Sequence, residues 1–486
     1  MDRILFVSPE VPPWVKSGGL ADVTAALPAA LRASGIDTRL LAPGYPAVLD
    51  AVRSNVVVHV DAHAALPPCR LLSAESSDTG PLFVVDCPEL FRRPGTAYQD
   101  PSFADWPDSH VRFGLLSRVA ALIASSAGPI AWKPEVVHCN DWPTALAPAY
   151  GRLLPGDAAY VMAIHNLSHQ GVFDASVREA LGLPAWMYDI NGVEYYGKLS
   201  FLKAGLFYAD RLVTVSPTYA REIQTDEEGQ GLGGLLRGRS ADLVGILNGI
   251  DTEVWNPATD EWIAHTYDFA SVARKSVNKI ALQRRLELEP GEERMLLGVV
   301  SRLAHQKGID WLIDILPQLV ELPIQLAILG SGERHLEESL VTMAAQHRGR
   351  VAAVIGFDEP LAHLIEAGAD AFVMPSRYEP CGLNQMYSLR YGTPPIVRAT
   401  GGLADTVSDC NERTLREGTA NGFSFADPSA DALLWATRRA FETWREPRVW
   451  RTLQKRGMSA DFSWSASAQR YLSVYQAAID ARRPAR

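Results

Sequence analysis

Short apolar runs alternate with longer stretches of helical period along the chain, which is the signature of β–α–β units. In the first half the runs are RILFVS, TRLLAP, NVVVHV, LFVVD, EVVHCN, YVMAIHN and RLVTVS, and helical patterns such as LADVTAALPAALRASG and SHVRFGLLSRVAALIASS lie between them. The second half keeps the rhythm more cleanly in MLLGVVSR, IQLAILG, VAAVIGF, DAFVMPS and PPIVR. These strands are apolar on both faces, so they predict a parallel sheet covered by helices on either side. The pattern breaks at LVGILNGIDTEVWNPATD, where Asn248-Gly249 and Asn256-Pro257 are turn chemistry, and resumes at VARKSVNKIALQRRL. SWSASAQRYLSVYQAAIDARR reads as a terminal helix, and the final ARRPAR looks frayed. There is no tandem period or low-complexity tract. Two doubly wound α/β domains side by side are the simplest architecture.

Composition narrows the function. At 486 residues the chain is too long for one core. A net charge of −10 argues against a nucleic-acid partner, because phosphate binding needs a basic excess. The five cysteines (Cys69, Cys87, Cys139, Cys381, Cys410) form no CxxC pair and read as reduced thiols. The N-terminus has too short an apolar core for a signal peptide, and no apolar run approaches the ~18 residues of a membrane helix. A soluble cytoplasmic protein without a membrane partner is expected.

In open α/β sheets ligands bind beyond the carboxyl ends of the strands, so polar residues there carry the functional signal. Gly-Gly-Leu-Ala-Asp occurs twice, in KSGGLADV after the first strand and in ATGGLADTV after PPIVR. Each copy predicts a tight turn into a helix beginning at Leu20 or Leu403, with open N–H groups facing an anion. A packing turn at a βα junction uses the same residues; two copies, the first preceded by Lys16, favour paired anion sites. Arg302 and Lys307 in SRLAHQKG suit a diphosphate, with Arg as the fork and Lys as the point charge; a solvated loop is the alternative. Glu379 in SRYEPCGL, beside Gly382, is placed to accept sugar hydroxyls or to cap the following helix. Cys381 reads as a buried filler rather than a reactive thiol. Asp141 either orients a ligand hydroxyl or pairs with Lys16. His165 and His169 are four apart in a loop with no completing ligand, so a ligand-bonding or structural His165 is preferred to a metal site. There is no D-x-D, no complete G-x-G-x-x-G at Gly330, no P-loop and no G-x-S-x-G.

Taken together, KSGGLADV, HNLSHQG, SRLAHQKG, PSRYEPCGLNQMYSLRYG and TGGLADTV resemble the bacterial glycogen synthases and plant starch synthases. YYGKLSFLKAGLFYADRLVTVSPTYAREI and DFSWSASAQRYLSVY extend the resemblance from Arg3 to about Tyr475. It implies a GT-B fold, with two Rossmann-like parallel-sheet domains facing a central cleft, at 1–248 and 249–464, and a helix over about 465–486 packing back on the first. It also implies retaining transfer of glucose from ADP-glucose to a glycogen or α-1,4-glucan acceptor, with no cofactor or metal. Lys16, Gly18 and Gly19 match the donor-diphosphate loop, Asp141 and His165 match residues near the transferred glucose, and Arg302 and Lys307 match the diphosphate pair. Glu379 matches the carboxylate beside the sugar, Gly401, Gly402 and Leu403 the second phosphate turn, and Phe357 an aromatic against adenine. Asn248, Cys381, Gly382, Leu383 and Thr400 complete the expected donor set. Two departures stand out: Ser17 replaces a threonine, and HCNDW puts Asn140 where a histidine is familiar. The resemblance leaves two routes to retention, same-face attack or a double displacement through Glu379. Rival functions are a transferase using UDP-glucose or a small acceptor, and a non-catalytic glucan-binding homologue.

Overall fold

The computed structural model describes residues 1–482; residues 483–486 of the tail expected to fray lie outside the described residues. The chain divides into two compact units, one of Met1–Gly249 with the segment starting at Trp464, the other of Ile250–Ser463.

In the first unit the main strands are β1 (Arg3–Val7), β2 (Asp37–Pro43), β3 (Ser54–Val60), β4 (Cys69–Ser76), β5 (Gly80–Asp86), β6 (Val136–Asn140) and β7 (Ala159–Ile164). They are followed by β8 (Val172–Asp174), β9 (Glu194–Tyr195), β10 (Lys198–Ser200), β11 (Arg211–Thr214) and β12 (Leu243–Gly245). Among the described residues one sheet has the order β12-β11-β7-β6-β1-β2-β5-β4-β3, and β8-β10-β9 form a small antiparallel sheet. From β12 to β5 every neighbouring pair is parallel, as expected. The sheet then continues into an antiparallel edge, of which the apolar pattern marked β3 and β5 but not β4. In CRLLSAES the polar Arg70, Ser73, Glu75 and Ser76 interrupt the apolar residues, so β4 lacks the continuous apolar run of a central strand; Gly80, at φ +71°, turns it into β5. At the outer edge, Val56 and Val57 of NVVVHV are 49% and 45% exposed.

The second unit contains β13 (Met295–Val300), β14 (Ile324–Gly330), β15 (Val351–Ile355), β16 (Ala371–Met374), β17 (Pro395–Arg398) and β18 (Phe423–Phe425). Their order is β15-β14-β13-β16-β17-β18, with every pair parallel. Successive residues point to opposite faces. Leu297, Val299, Leu326 and Ile328 enter one apolar layer with Leu312, Ile315 and Leu316 of helix Ile309–Val320. Leu296, Ala327, Leu329 and Phe372 enter another with Leu361, Leu364 and Ile365 of helix Glu359–Gly368. Each fully buried Leu or Ile contributes about 1.5–3 kcal/mol, so the strand ends are held on a rigid base.

Helix Trp464–Arg482 belongs to the first unit. Its Ser467 hydroxyl donates to the Leu247 carbonyl at 2.7 Å, and the buried Tyr471 and Tyr475 rings meet His138 edge-on.

Candidate active site

In each unit the strand order reverses at one strand: β1 lies between β2 and β6, and β13 between β14 and β16. Crevices at such points are where open α/β sheets bind ligands, and most of the candidate residues cluster there.

In the first unit, β1 runs into Ser8 and the buried Glu10. The Glu10 carboxylate accepts from the Ser17 amide and from the Tyr98 hydroxyl, each at 2.9 Å, and so ties the Lys16–Gly19 loop to the body of the unit. Burial pushes the Glu10 carboxyl pKa up, against the opposing pull of those donors. The helix opens at Gly19, with Gly18 extended at φ −172°. A Cβ at Gly18 or Gly19 would meet nothing within 4 Å, so open space lies over this turn. Lys16 pairs with Asp22 of the first helical turn at 2.7 Å, so the expected alternative pairing with Asp141 is not formed. A partner six residues away on the same turn is reached without bending the lysine over the loop.

Beyond β6 and β7, Asp141 sits at φ +52° and its carboxylate accepts from the His165 amide at 2.7 Å and the Asn166 amide at 3.4 Å. Burial nevertheless lifts the Asp141 pKa to about 7, and it depresses the His165 imidazole to about 4. The His165 ring is therefore neutral at neutral pH. Its Nε2 lies 2.9 Å from Asn140 Oδ1, and His138 Nε2 lies 3.2 Å from the same oxygen. Asn140 Nδ2 donates to the Val7 carbonyl at 2.8 Å, and the Tyr475 hydroxyl lies 3.0 Å from His138 Nδ1. Asn140 is wholly buried, so this departure from the familiar histidine faces inward rather than toward an acceptor.

In the second unit, Gly308 adopts φ +67° directly before helix Ile309–Val320 and lies against the Pro375 carbonyl, where a side chain would collide. This turn presents Lys307, whose Nζ reaches Glu379 Oε2 at 2.6 Å; Ser376 Oγ donates to the same oxygen at 2.9 Å. Both charges are largely buried, Lys307 at 18% and Glu379 at 8% side-chain exposure. Glu379 therefore does not cap helix Asn384–Arg390, which has no side-chain cap. Exposed Arg302 bonds Gln306 at 3.1 Å. Arg377 fixes the loop from outside, with two bonds to Asp310 at 2.7 and 2.6 Å and its guanidinium 4.0 Å from the Trp311 ring centre.

The second Gly-Gly turn packs against this loop. Gly402 N donates to the Glu379 carbonyl at 3.1 Å. Gly401 is at φ +44°, and a Cβ there would strike the Glu379 carbonyl; one at Gly402 would strike the Cys381 carbonyl. Its helix starts at Gly401, two residues before the expected Leu403. Gly382, at φ +71°, lets Gln385 Nε2 bond the Cys381 and Gly382 carbonyls at 3.1 and 3.0 Å. Cys381, Thr400 and Leu403 are buried and Leu383 is half-buried.

Two candidates stand apart from these clusters. Phe357, past the end of β15, is 89% exposed. Asn248 is buried, and among the described residues its Oδ1 has no hydrogen-bond partner. Sequence reasoning missed Glu10, Tyr98 and Ser376. A carboxylate directly after β1 was a usable signal for Glu10; Tyr98 lies 88 positions from it, in an irregular stretch without periodicity. Among the described residues no group of three or more His, Cys, Asp or Glu is arranged to hold a metal ion, and no helix is long and apolar enough to cross a membrane.

Residues 3–238 match the family described as starch synthase catalytic domain, and residues 283–455 match glycosyl transferases group 1. The chain is 54% identical to a glycogen synthase from Aromatoleum aromaticum, over 98% of this chain and 97% of that one. It is 53% identical to a glycogen synthase from Dechloromonas aromatica, over 99% of both. Among solved structures, the catalytic domain of starch synthase IV from Arabidopsis thaliana, bound to ADP and acarbose, superposes with a TM-score of 0.86 at 31% identity over 99% of both chains.

Proposed function

Because the chain belongs to the family of bacterial glycogen synthases and plant starch synthases, glycosyltransferases of GT-B fold, we infer that it transfers glucose from ADP-glucose to the non-reducing end of an α-1,4-glucan, with retention and release of ADP. The observation that carries the site assignment is the Lys307–Glu379 pair, held at the switch point of the second sheet against the Gly401–Gly402 turn.

The chemistry follows from where charge develops. As the bond between glucose C1 and the β-phosphate breaks, negative charge grows on ADP and the sugar becomes oxocarbenium-like. Arg302 and Lys307 are the cations assigned to the diphosphate, and preorganised charge of this kind is the largest single source of rate enhancement in such sites. Glu379 is assigned to the sugar, where its carboxylate accepts hydroxyl protons and stabilises positive charge at C1. Lys16, Gly18 and Gly19 are assigned to the donor phosphates, Phe357 to the adenine, and Asp141 and His165 to the transferred glucose. Cys381, Gly382, Leu383, Thr400, Gly401, Gly402 and Leu403 shape the donor pocket, and Asn248 completes the assigned set. Same-face attack is the preferred route, with the acceptor hydroxyl giving its proton to the departing phosphate and the His165 carbonyl steadying the sugar.

The test is release of ADP from ADP-glucose in the presence of glycogen, run beside UDP-glucose. Glycogen-dependent release with ADP-glucose preferred is expected; no turnover with either donor, despite glucan binding, would mark a non-catalytic homologue. A trapped glucosyl ester on Glu379 would replace same-face attack by double displacement.

A further inference from the structure

We propose that Asn140 is a positioning residue that sets the tautomer of His165, holding the ring proton on Nε2 and leaving Nδ1 as the ring's acceptor. The assignment follows from one fixed point. The Val7 carbonyl can only accept, so the Asn140 atom 2.8 Å from it must be the amide nitrogen. The Asn140 oxygen then faces both imidazoles, at 2.9 Å from His165 Nε2 and 3.2 Å from His138 Nε2. That oxygen has no proton to give, so each Nε2 must carry one. Burial keeps both rings neutral near pH 7, with His165 pushed down to about 4 and His138 to about 3, so each carries a single ring proton. His138 Nδ1 is therefore bare, and it accepts from the Tyr475 hydroxyl at 3.0 Å.

One chain of bonds thus runs from the C-terminal helix through His138 and Asn140 to His165, anchored on β1 by Val7. The His165 amide is held by Asp141 at 2.7 Å, so main chain and ring are both fixed before any ligand arrives. A sugar hydroxyl approaching this ring meets a lone pair at Nδ1 and donates to it. A histidine locked the other way round would present N–H and demand an acceptor. The kinetic consequence of the proposal rests on His165 contacting the donor sugar, whereas the tautomer itself does not.

The experiment uses the full chain with 15N-labelled histidine, reading the His165 ring nitrogens by NMR beside kcat. The wild type is expected to show a pure Nε2–H ring. Asn140→Ala should give a mixture of the two tautomers and lower kcat roughly 10- to 100-fold, by analogy with the loss of a partner that orients a metal-bound histidine. Asn140→Asp can keep the bond to the Val7 carbonyl only as the neutral acid, which donates there and still turns its carbonyl oxygen to Nε2, so it should hold the Nε2–H form and recover part of the lost rate. Asn140→Ser, too short to reach the ring, carries the same test should the alanine variant fail to fold. A wild-type ring protonated on Nδ1, or an Asn140→Ala ring unchanged from wild type, overturns the proposal. A tautomer shift with kcat unaltered supports it and removes the His165 ring, though not its carbonyl, from the sugar contacts proposed above.

Discussion

The same pentapeptide opens two helices in this chain, yet its glycines are there for different reasons. At Gly18-Gly19 the first glycine is extended and the second begins a helix of fifteen residues, and added Cβ atoms would enter open space. At Gly401-Gly402 the helix is six residues long, φ at Gly401 is +44°, and added Cβ atoms would strike the carbonyls of Glu379 and Cys381. The first turn is glycine-rich although its own packing does not require it, which leaves room for the donor contact proposed for it. The second needs glycine simply to close against the loop that carries Glu379. Identical sequence therefore does not imply identical constraint. The fold does not need glycine at the first turn, whereas at the second glycine is part of the packing itself.

The cations beside the two turns give the largest test of that difference. Lys307→Ala leaves Glu379 buried without its partner, so it should lower kcat roughly 10²–10³-fold. It should also destabilise the second unit by about 3 kcal/mol, a Tm fall of roughly 6–12 °C. Lys16→Ala breaks only an exposed pair and should weaken donor binding with Tm unchanged, since such pairs contribute about 0–1 kcal/mol. Equal Tm losses in the two variants would erase the distinction.

The glycines come next. Gly402→Ala forces backbone apart and should cost about 3 kcal/mol, with activity lost along with the fold. Gly19→Ala lies at the first position of a helix and should leave the protein as stable or about 0.5–1 kcal/mol more so, while raising KM for ADP-glucose. Calorimetry on the pair decides the matter; a destabilised Gly19→Ala would put both turns in one class.

An effect seen only as pH is varied concerns Asp141 in the first unit. Its folded pKa of about 7 lies above the unfolded value of about 3.9, so the folded state holds a proton that the unfolded state has lost. Stability from this group therefore falls as pH rises from about 4 to about 7. Asp141→Asn removes that slope, so its Tm should gain on the wild type across the window and stay level above it. A constant gap from pH 4 to pH 8 would contradict the shift.

How much of this was legible depends on sequence range. The buried parallel strands announce themselves, because β13 and β14 must be apolar on both faces. The antiparallel pairing at the edge does not, since polar residues break up β4 and the NVVVHV run of β3 turns out largely exposed. Lys307 and Glu379 were each marked by their own motif, but their contact spans 72 positions and appears only in the folded chain. Lys16 shows the converse, since Asp22 within the same motif was the nearer partner and was overlooked. Asn140 was visible as a departure, but nothing local pointed to Val7, 133 positions away, or to Tyr475.

The return of the last helix to the first unit bears on how the protein is made. The ribosome delivers β1 to β12 first, yet the tyrosines that cover His138 emerge only after all of the second unit has been synthesised. At ordinary elongation rates that delay is roughly ten to forty seconds. Throughout it the nascent first unit lacks the two rings that pack on His138, so its last packing step follows the synthesis of the second unit.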